Sequence, residues 1–245
     1  MKEIIRKVLL VVCVCVFAYS VFQLGTIFYE YYRTEKDSEE LIESYIDDSA
    51  QEATEDPLNR VVDFKSLISR NKDVIGWLYI PDTKIDEPIL KGATNDSYLR
   101  TDIDHKVKTA GQIFIDEINS KDFKDDNTII YGHNMKNGTR FHDLRYYVEK
   151  EFYEQHPTVY IYLPDGSVNV YQIFSANIIN AQSDFYSKGI NYIQFVKNAQ
   201  KSAKQKSDVS QEQQPIILLS TCYAHNSYSS YVVFARLDKN VKIGE

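Results

Sequence analysis

The sequence predicts a mainly β domain, a closed barrel or a sandwich decorated by helices, set behind one long apolar N-terminal helix. Three observations lead there. Short apolar or alternating runs recur from residue 74 to residue 237, each bounded by turn residues. Pro164-Asp165-Gly166 between two such runs is a strong hairpin signal. Helical spacing of apolar residues is confined, in the rest of the chain, to 61–71, 139–153 and 190–205.

The elements follow in chain order. Lys2, Arg6 and Lys7 precede residues 8–29, in which Ser20 and Gln23 are the clearly polar positions. About twenty apolar residues span a bilayer as a helix. The run is longer than the core of a cleaved signal and has no small-x-small site at its end. It reads as an uncleaved signal anchor, with Tyr19, Phe28, Tyr29, Tyr31 and Tyr32 at interface positions. The basic flank places 1–33 as cytoplasmic stub and anchor, with all later residues outside. Cys13 and Cys15 fall within this helix as bilayer-facing small residues or acylation sites. Residues 34–57 hold ten acidic residues and one lysine, the composition of a solvated stalk, partly helical at most. Residues 58–245 form the folded domain.

In that domain 61–71 reads as a short amphipathic helix. Strands are expected at 74–80, 85–90, 111–116, 127–131, 158–163, 168–176, 216–221 and 231–237. Helices are expected at 139–153, with Phe141, Leu144, Val148 and Phe152 on one face, and at 190–205, with a lysine-rich outer face.

The whole chain carries a formal charge of −7. Residues 1–33 contribute four basic and two acidic residues of totals 28 and 35, so the exported part is acidic. No basic cluster points to nucleic acid. No glycine loop cradles phosphate, no His/Cys spacing suits zinc, and no cofactor or metal is expected.

Cys222 is the one cysteine outside the anchor, at the end of Ile216-Ile217-Leu218-Leu219-Ser220-Thr221-Cys222. Ile129-Ile130 leads into Tyr131-Gly132-His133-Asn134-Met135. Two strands, one ending in Cys and one in His, hold a thiol and an imidazole face to face, so Cys222 and His133 are a candidate nucleophile and base. The bland alternatives are a small buried thiol and a turn histidine. An unpaired thiol in an exported domain is a liability unless it does chemistry, which favours the catalytic reading. His142 reads as a solvated helix residue, His105 as a loop residue, His156-Pro157 as a helix stop and Asp116 as a turn cap.

The anchor, Trp77-Leu78-Tyr79-Ile80-Pro81, Tyr131-Gly132-His133-Asn134-Met135 and Leu219-Ser220-Thr221-Cys222 together resemble a sortase. The Gly-His-Asn-Met turn, the Leu-Ser-Thr-Cys ending and the helices before the first strand and before the Cys strand are similar to class B sortases. The resemblance covers residues 61–238 and implies a sortase-like closed β-barrel, with an N-terminal helix and a helix inserted before the Cys strand. It implies a cysteine transpeptidase of a Gram-positive bacterium. Such an enzyme cuts a C-terminal sorting signal after Thr and passes the protein, through a thioester, to a peptidoglycan precursor amine. Cys222 is then the nucleophile and His133 the general acid/base. Ser220, Thr221 and Tyr223 would line the substrate groove, with residues 184–192 as a wall. The implied partners are sorting-signal proteins, the peptidoglycan amine and the membrane at residues 8–29.

The family's third residue is an Arg on the strand after the Cys. Here Ser230 stands in that place, in Ser230-Tyr231-Val232-Val233-Phe234-Ala235-Arg236-Leu237. Arg236 lies six residues on, about 20 Å along a strand, too far to substitute. Three readings compete. His225, Tyr228, Tyr231, Arg140 or Arg145 fills the role, the enzyme is slow or specialised, or the protein binds peptide or cell wall without turnover.

Overall fold

The computed structural model describes residues 1–47, 56–180, 182–222 and 228–243. Its first element, α1 (Lys2–Tyr45), is one unbroken helix of 44 residues. Among the described residues it is the one helix long and apolar enough to cross a membrane. Residues 34–45 differ from the solvated stalk expected of them. They continue α1 and pack on the domain, with Thr34 and Leu41 buried. Glu35 pairs with Lys84 at 3.0 Å and Asp37 with Lys108. Ser38 donates to Glu87 at 2.8 Å. The acidic residues are helical because one helix face finds lysines on the barrel while Leu41 joins Leu67, Trp77 and Leu90 in an apolar cluster.

Beyond α1, β1 (Ile46–Asp47) pairs antiparallel with β2 (Val61–Val62). That pairing takes the first apolar residues of the predicted helix, so α2 is shorter (Phe64–Arg70). Its N-cap, Asp63, accepts from the Ser66 amide at 3.0 Å.

The barrel strands are β3 (Val74–Tyr79), β4 (Asp86–Leu90), β5 (Ile113–Ile115), β6 (Asn127–His133), β7 (Thr158–Tyr162), β8 (Ser167–Asn180), β10 (Ile216–Cys222) and β11 (Ser229–Lys242). They run in the order β11-β10-β6-β5-β4-β3-β7-β8, and β11 pairs back onto β8. The ring of eight is closed, which leaves none of these strands as a free edge. The short β9 (Gln205–Lys206) adds to β8 from outside the ring. Most pairs are antiparallel; β4–β5 and β6–β10 are parallel.

Alternation sorts the side chains. Ile89, Ile113, Ile130, Ile217, Leu219 and Val233 fill the barrel interior. Ile129, Ile216, Leu218, Val232 and Phe234 form a second cluster on the outer face, under α4 (Tyr192–Lys201). Asn191 caps α4 by accepting from the Gln194 amide at 3.0 Å. The predicted helix at 139–153 divides in two. A 3₁₀ helix (His142–Val148) and α3 (Lys150–Gln155) are separated by Glu149, whose ψ of 132° is extended.

Candidate active site

The outer face of three neighbouring strands builds the site. β6 and β10 run parallel in a register that sets Ile129 beside Leu218, Tyr131 beside Ser220 and His133 beside Cys222. Ile129 and Leu218 belong to the outer cluster. Strand period two therefore puts positions 131, 133, 220 and 222 on that same face. On β11, Val232 and Phe234 share it, and so does Ser230. Ser220 opposes Val232 across β10–β11, and the register continued two residues sets Ser230 across from Cys222. Positions 133 and 222 are thus paired neighbours, and position 230 lies on the same face two residues beyond the last β10–β11 pair.

His133 is half-buried. Its Nε2 lies 2.7 Å from the Leu99 carbonyl oxygen. A carbonyl only accepts, so Nε2 carries the proton and Nδ1 is the nitrogen left for chemistry. Its main-chain carbonyl accepts from the Phe141 amide at 2.9 Å, which fixes the strand end. Burial lowers the imidazole pKa below its ordinary value. The Leu99 bond opposes the shift, and the charges of Arg100 and Arg140 add to it. Gly132 is required beside His133, because a Cβ there would sit 2.7 Å from the Phe141 ring.

The other expected residues are placed as follows. The Ser220 hydroxyl is buried and lies 2.9 Å from the Tyr186 hydroxyl. The Tyr186 ring stacks on Tyr131 at 6.2 Å, with an interplanar angle of 14°. Residues 184–192 therefore do reach the site's face, and Phe185 packs edge-on against Phe195 and Phe234. Thr221 faces the other way, on the side of Ile217 and Leu219. Its hydroxyl accepts from the Tyr231 amide at 3.2 Å, which ties the strands and does not fit a groove-lining role. Tyr223 and His225 lie outside the described residues.

The arginines and tyrosines considered beside Ser230 are placed as follows. Arg140 is buried, ion-paired to Glu87, and donates to the Gly111 carbonyl at 3.1 Å and to Ser38 at 3.0 Å. Arg145 is exposed and lies over the Tyr146 ring. Tyr231 packs on the barrel interior and Tyr228 is solvent-exposed. Arg236 opposes Ile216, at the far end of β10 from Cys222, and donates to Tyr192 and the Glu212 carbonyl.

Asp116 is the turn cap expected of it, accepting from the Ile118 amide at 3.0 Å, and it also receives the Tyr131 hydroxyl at 2.8 Å. His156 caps the end of α3, its ring nitrogen 2.8 Å from the Phe152 carbonyl. His142 is a correction. It is half-buried against Tyr146, with Nδ1 enclosed and unpartnered, because the 3₁₀ turn rotates it inward. Sequence reasoning missed Leu99, which acts through its main chain and leaves no side-chain signal. Tyr186 lies in the expected wall, but its stacking on Tyr131, which joins residues far apart in sequence, has no local signal. Among the described residues no group of three or more His, Cys, Asp or Glu could hold a metal ion.

Comparison with known proteins agrees with this geometry. Residues 78–238 match the family described as Sortase domain. The chain is 34% identical over 237 residues to Sortase B of Listeria monocytogenes, covering 93% of each. It is 28% identical to Sortase B of Staphylococcus aureus, covering 81% of this chain and 89% of that one. Among solved structures, the Staphylococcus aureus sortase B–substrate complex superposes with a TM-score of 0.69 at 27% identity, covering 90% of this chain and 98% of that one.

Proposed function

Since the chain belongs to the sortase family, as a class B-type cysteine transpeptidase acting on sorting-signal substrates, we propose that it is membrane-anchored and joins surface proteins to a cell-wall peptidoglycan amine. The observation that supports this is the parallel register of Cys222 with His133 on one face of the barrel.

In the proposed reaction Cys222 gives its thiol proton to His133 Nδ1, and the resulting thiolate attacks the carbonyl carbon of the signal's Thr. The C–N bond breaks and His133 gives its Nδ1 proton to the departing amine. The thioester then takes the nucleophilic amine of the peptidoglycan precursor. His133 accepts that amine's proton as the C–N bond forms and the thiolate leaves. The Leu99 carbonyl holds Nε2–H and so orients Nδ1 through both half-reactions. Tyr186 and Tyr131 bind the peptide beside the thiol, the buried Ser220 hydroxyl holds Tyr186 in place, and residues 184–192 form the wall that sets preference. Residues 8–29 span the membrane, with the domain outside. Ser230 leaves the acyl oxygen without the family's charged donor, so turnover is slower than a guanidinium at that position would allow.

The test is cleavage of a panel of fluorogenic sorting peptides, with mass spectrometry of the enzyme. Cys222→Ala should abolish turnover and the peptide-sized mass adduct, and His133→Ala should nearly abolish turnover. Substantial cleavage by Cys222→Ala would remove the covalent mechanism.

A further inference from the structure

The contacts of α1 with the barrel begin where its apolar span ends. Glu30, one residue after Tyr29, accepts from the Thr109 hydroxyl at 3.0 Å. The Tyr31 carbonyl accepts from the Asn137 side chain at 2.9 Å. Further along come Lys84 on Glu35, Lys108 on Asp37 and Arg140 on Ser38. Last, the Tyr45 carbonyl accepts from the Asp63 amide at 2.8 Å. The order of these contacts is a height scale. A helix rises about 1.5 Å per residue, so Glu30 and Tyr31, which Thr109 and Asn137 touch, lie within about 3 Å of the end of the span, while Tyr45, which Asp63 touches, is about 24 Å above it.

The headgroup layer on one side of a bilayer is about 5–8 Å deep. The loop at 106–109 and the turn at 136–138 therefore share its depth. Their chemistry suits it. Val107 is 88% exposed, the most exposed large aliphatic side chain among the described residues beyond α1. Lys106 stands beside it with its side chain 71% exposed, and Lys136 is exposed on the second turn. An apolar tip flanked by lysines matches a layer of phosphates over hydrocarbon. Tyr29 and Tyr32 are exposed on the helix at the same level.

We propose that α1 is a rigid strut that holds the 106–109 loop and the 136–138 turn in the phospholipid headgroup layer. Val107 inserts, and Lys106 and Lys136 meet lipid phosphates. The His133 corner, reached through the Asn134–Arg140 bridge, then lies on the bilayer side of the barrel. This inference rests on the membrane-anchored reading.

The test uses the full chain with Cys13, Cys15 and Cys222 changed to Ala, in nanodiscs of phosphatidylglycerol and phosphatidylethanolamine. Single cysteines replace Val16, Val107 or Lys65 and carry an environment-sensitive fluorophore. Quenching is read with spin-labelled lipids. The Val16 site should be quenched from the acyl chains, the Val107 site from the headgroups, and the Lys65 site, high on α2, from neither. A Val107 signal equal to the Lys65 signal, with Val16 quenched, would overturn the docking. An unquenched Val16 would instead overturn the membrane reading on which it stands. A Gly/Ser insert between Tyr29 and Glu30 should bring Val107 quenching down to the Lys65 level. Undiminished quenching would overturn the strut.

Discussion

Ser230→Arg should raise kcat/KM, and the structure sets the size of the gain. Ser230 lies opposite Cys222 when the β10–β11 register is continued two residues. Directly opposed positions on antiparallel strands hold their Cβ atoms about 4.5–5.5 Å apart. A guanidinium on its aliphatic stem spans that gap and places a charged fork where the acyl oxygen develops charge. One such donor is worth about 10²–10³ in rate in a preorganised site. Ser230 is 3% exposed and pairs with Ile179 on β8, so the new charge must be partly desolvated before substrate arrives. That penalty brings the expected gain down to about 10-fold. The assay is fluorogenic peptide cleavage by full-length protein in detergent, with a thermal melt to establish folding. Ser230→Lys, a charge without the fork, should fall between Ser and Arg. A folded Ser230→Arg variant with equal or lower kcat/KM would refute the reasoning and mean that another group already serves the acyl oxygen.

Arg140→Met should cost about 3–5 kcal/mol, because Glu87 would be left buried and unpaired; Arg140→Met with Glu87→Gln should recover much of it, as read by urea unfolding. Gly132→Ala should cost about 1–3 kcal/mol and reduce cleavage, since the methyl meets the fully buried Phe141 ring and displaces the end of β6. Equal melts for Gly132→Ala and wild type would show that Phe141 yields freely. The His133 pKa is lowered on folding, so the native state binds fewer protons than the unfolded state. Its contribution to stability is full above the ordinary value of 6.5 and falls as pH drops from there through the lowered native value. His133→Gln should flatten that part of the stability curve, and an unchanged slope would assign the pH dependence elsewhere.

The barrel strands were legible because alternation and turn residues mark them directly, as at Pro164-Asp165-Gly166 between β7 and β8. Their lengths were not. β8 and β11 run 14 residues each because they pair with one another to close the ring, a long-range condition that no local pattern encodes. Residues 139–153 carry one apolar face, which suits a 3₁₀ turn followed by a short helix as well as one long helix. The docking of residues 34–45 was not legible because composition says nothing about which face meets Lys84 and Lys108. Cys222 and His133 were legible as strand-end residues. Leu99 was not, since a carbonyl has no letter in the sequence.

The parallel pairing of β6 with β10 also bears on biogenesis. His133 and Cys222 sit side by side although the crossover between them holds α3, β7, β8, β9 and α4. β10 enters the ring as an interior strand between β6 and β11, so the barrel cannot close until nearly the whole chain is available. Contacts of such long sequence separation form late and slowly. A chain made N-terminus first therefore lacks the pairing of His133 with Cys222 for most of its synthesis. The two positions come into register only when β10 pairs with β6, after every element of the crossover has been made.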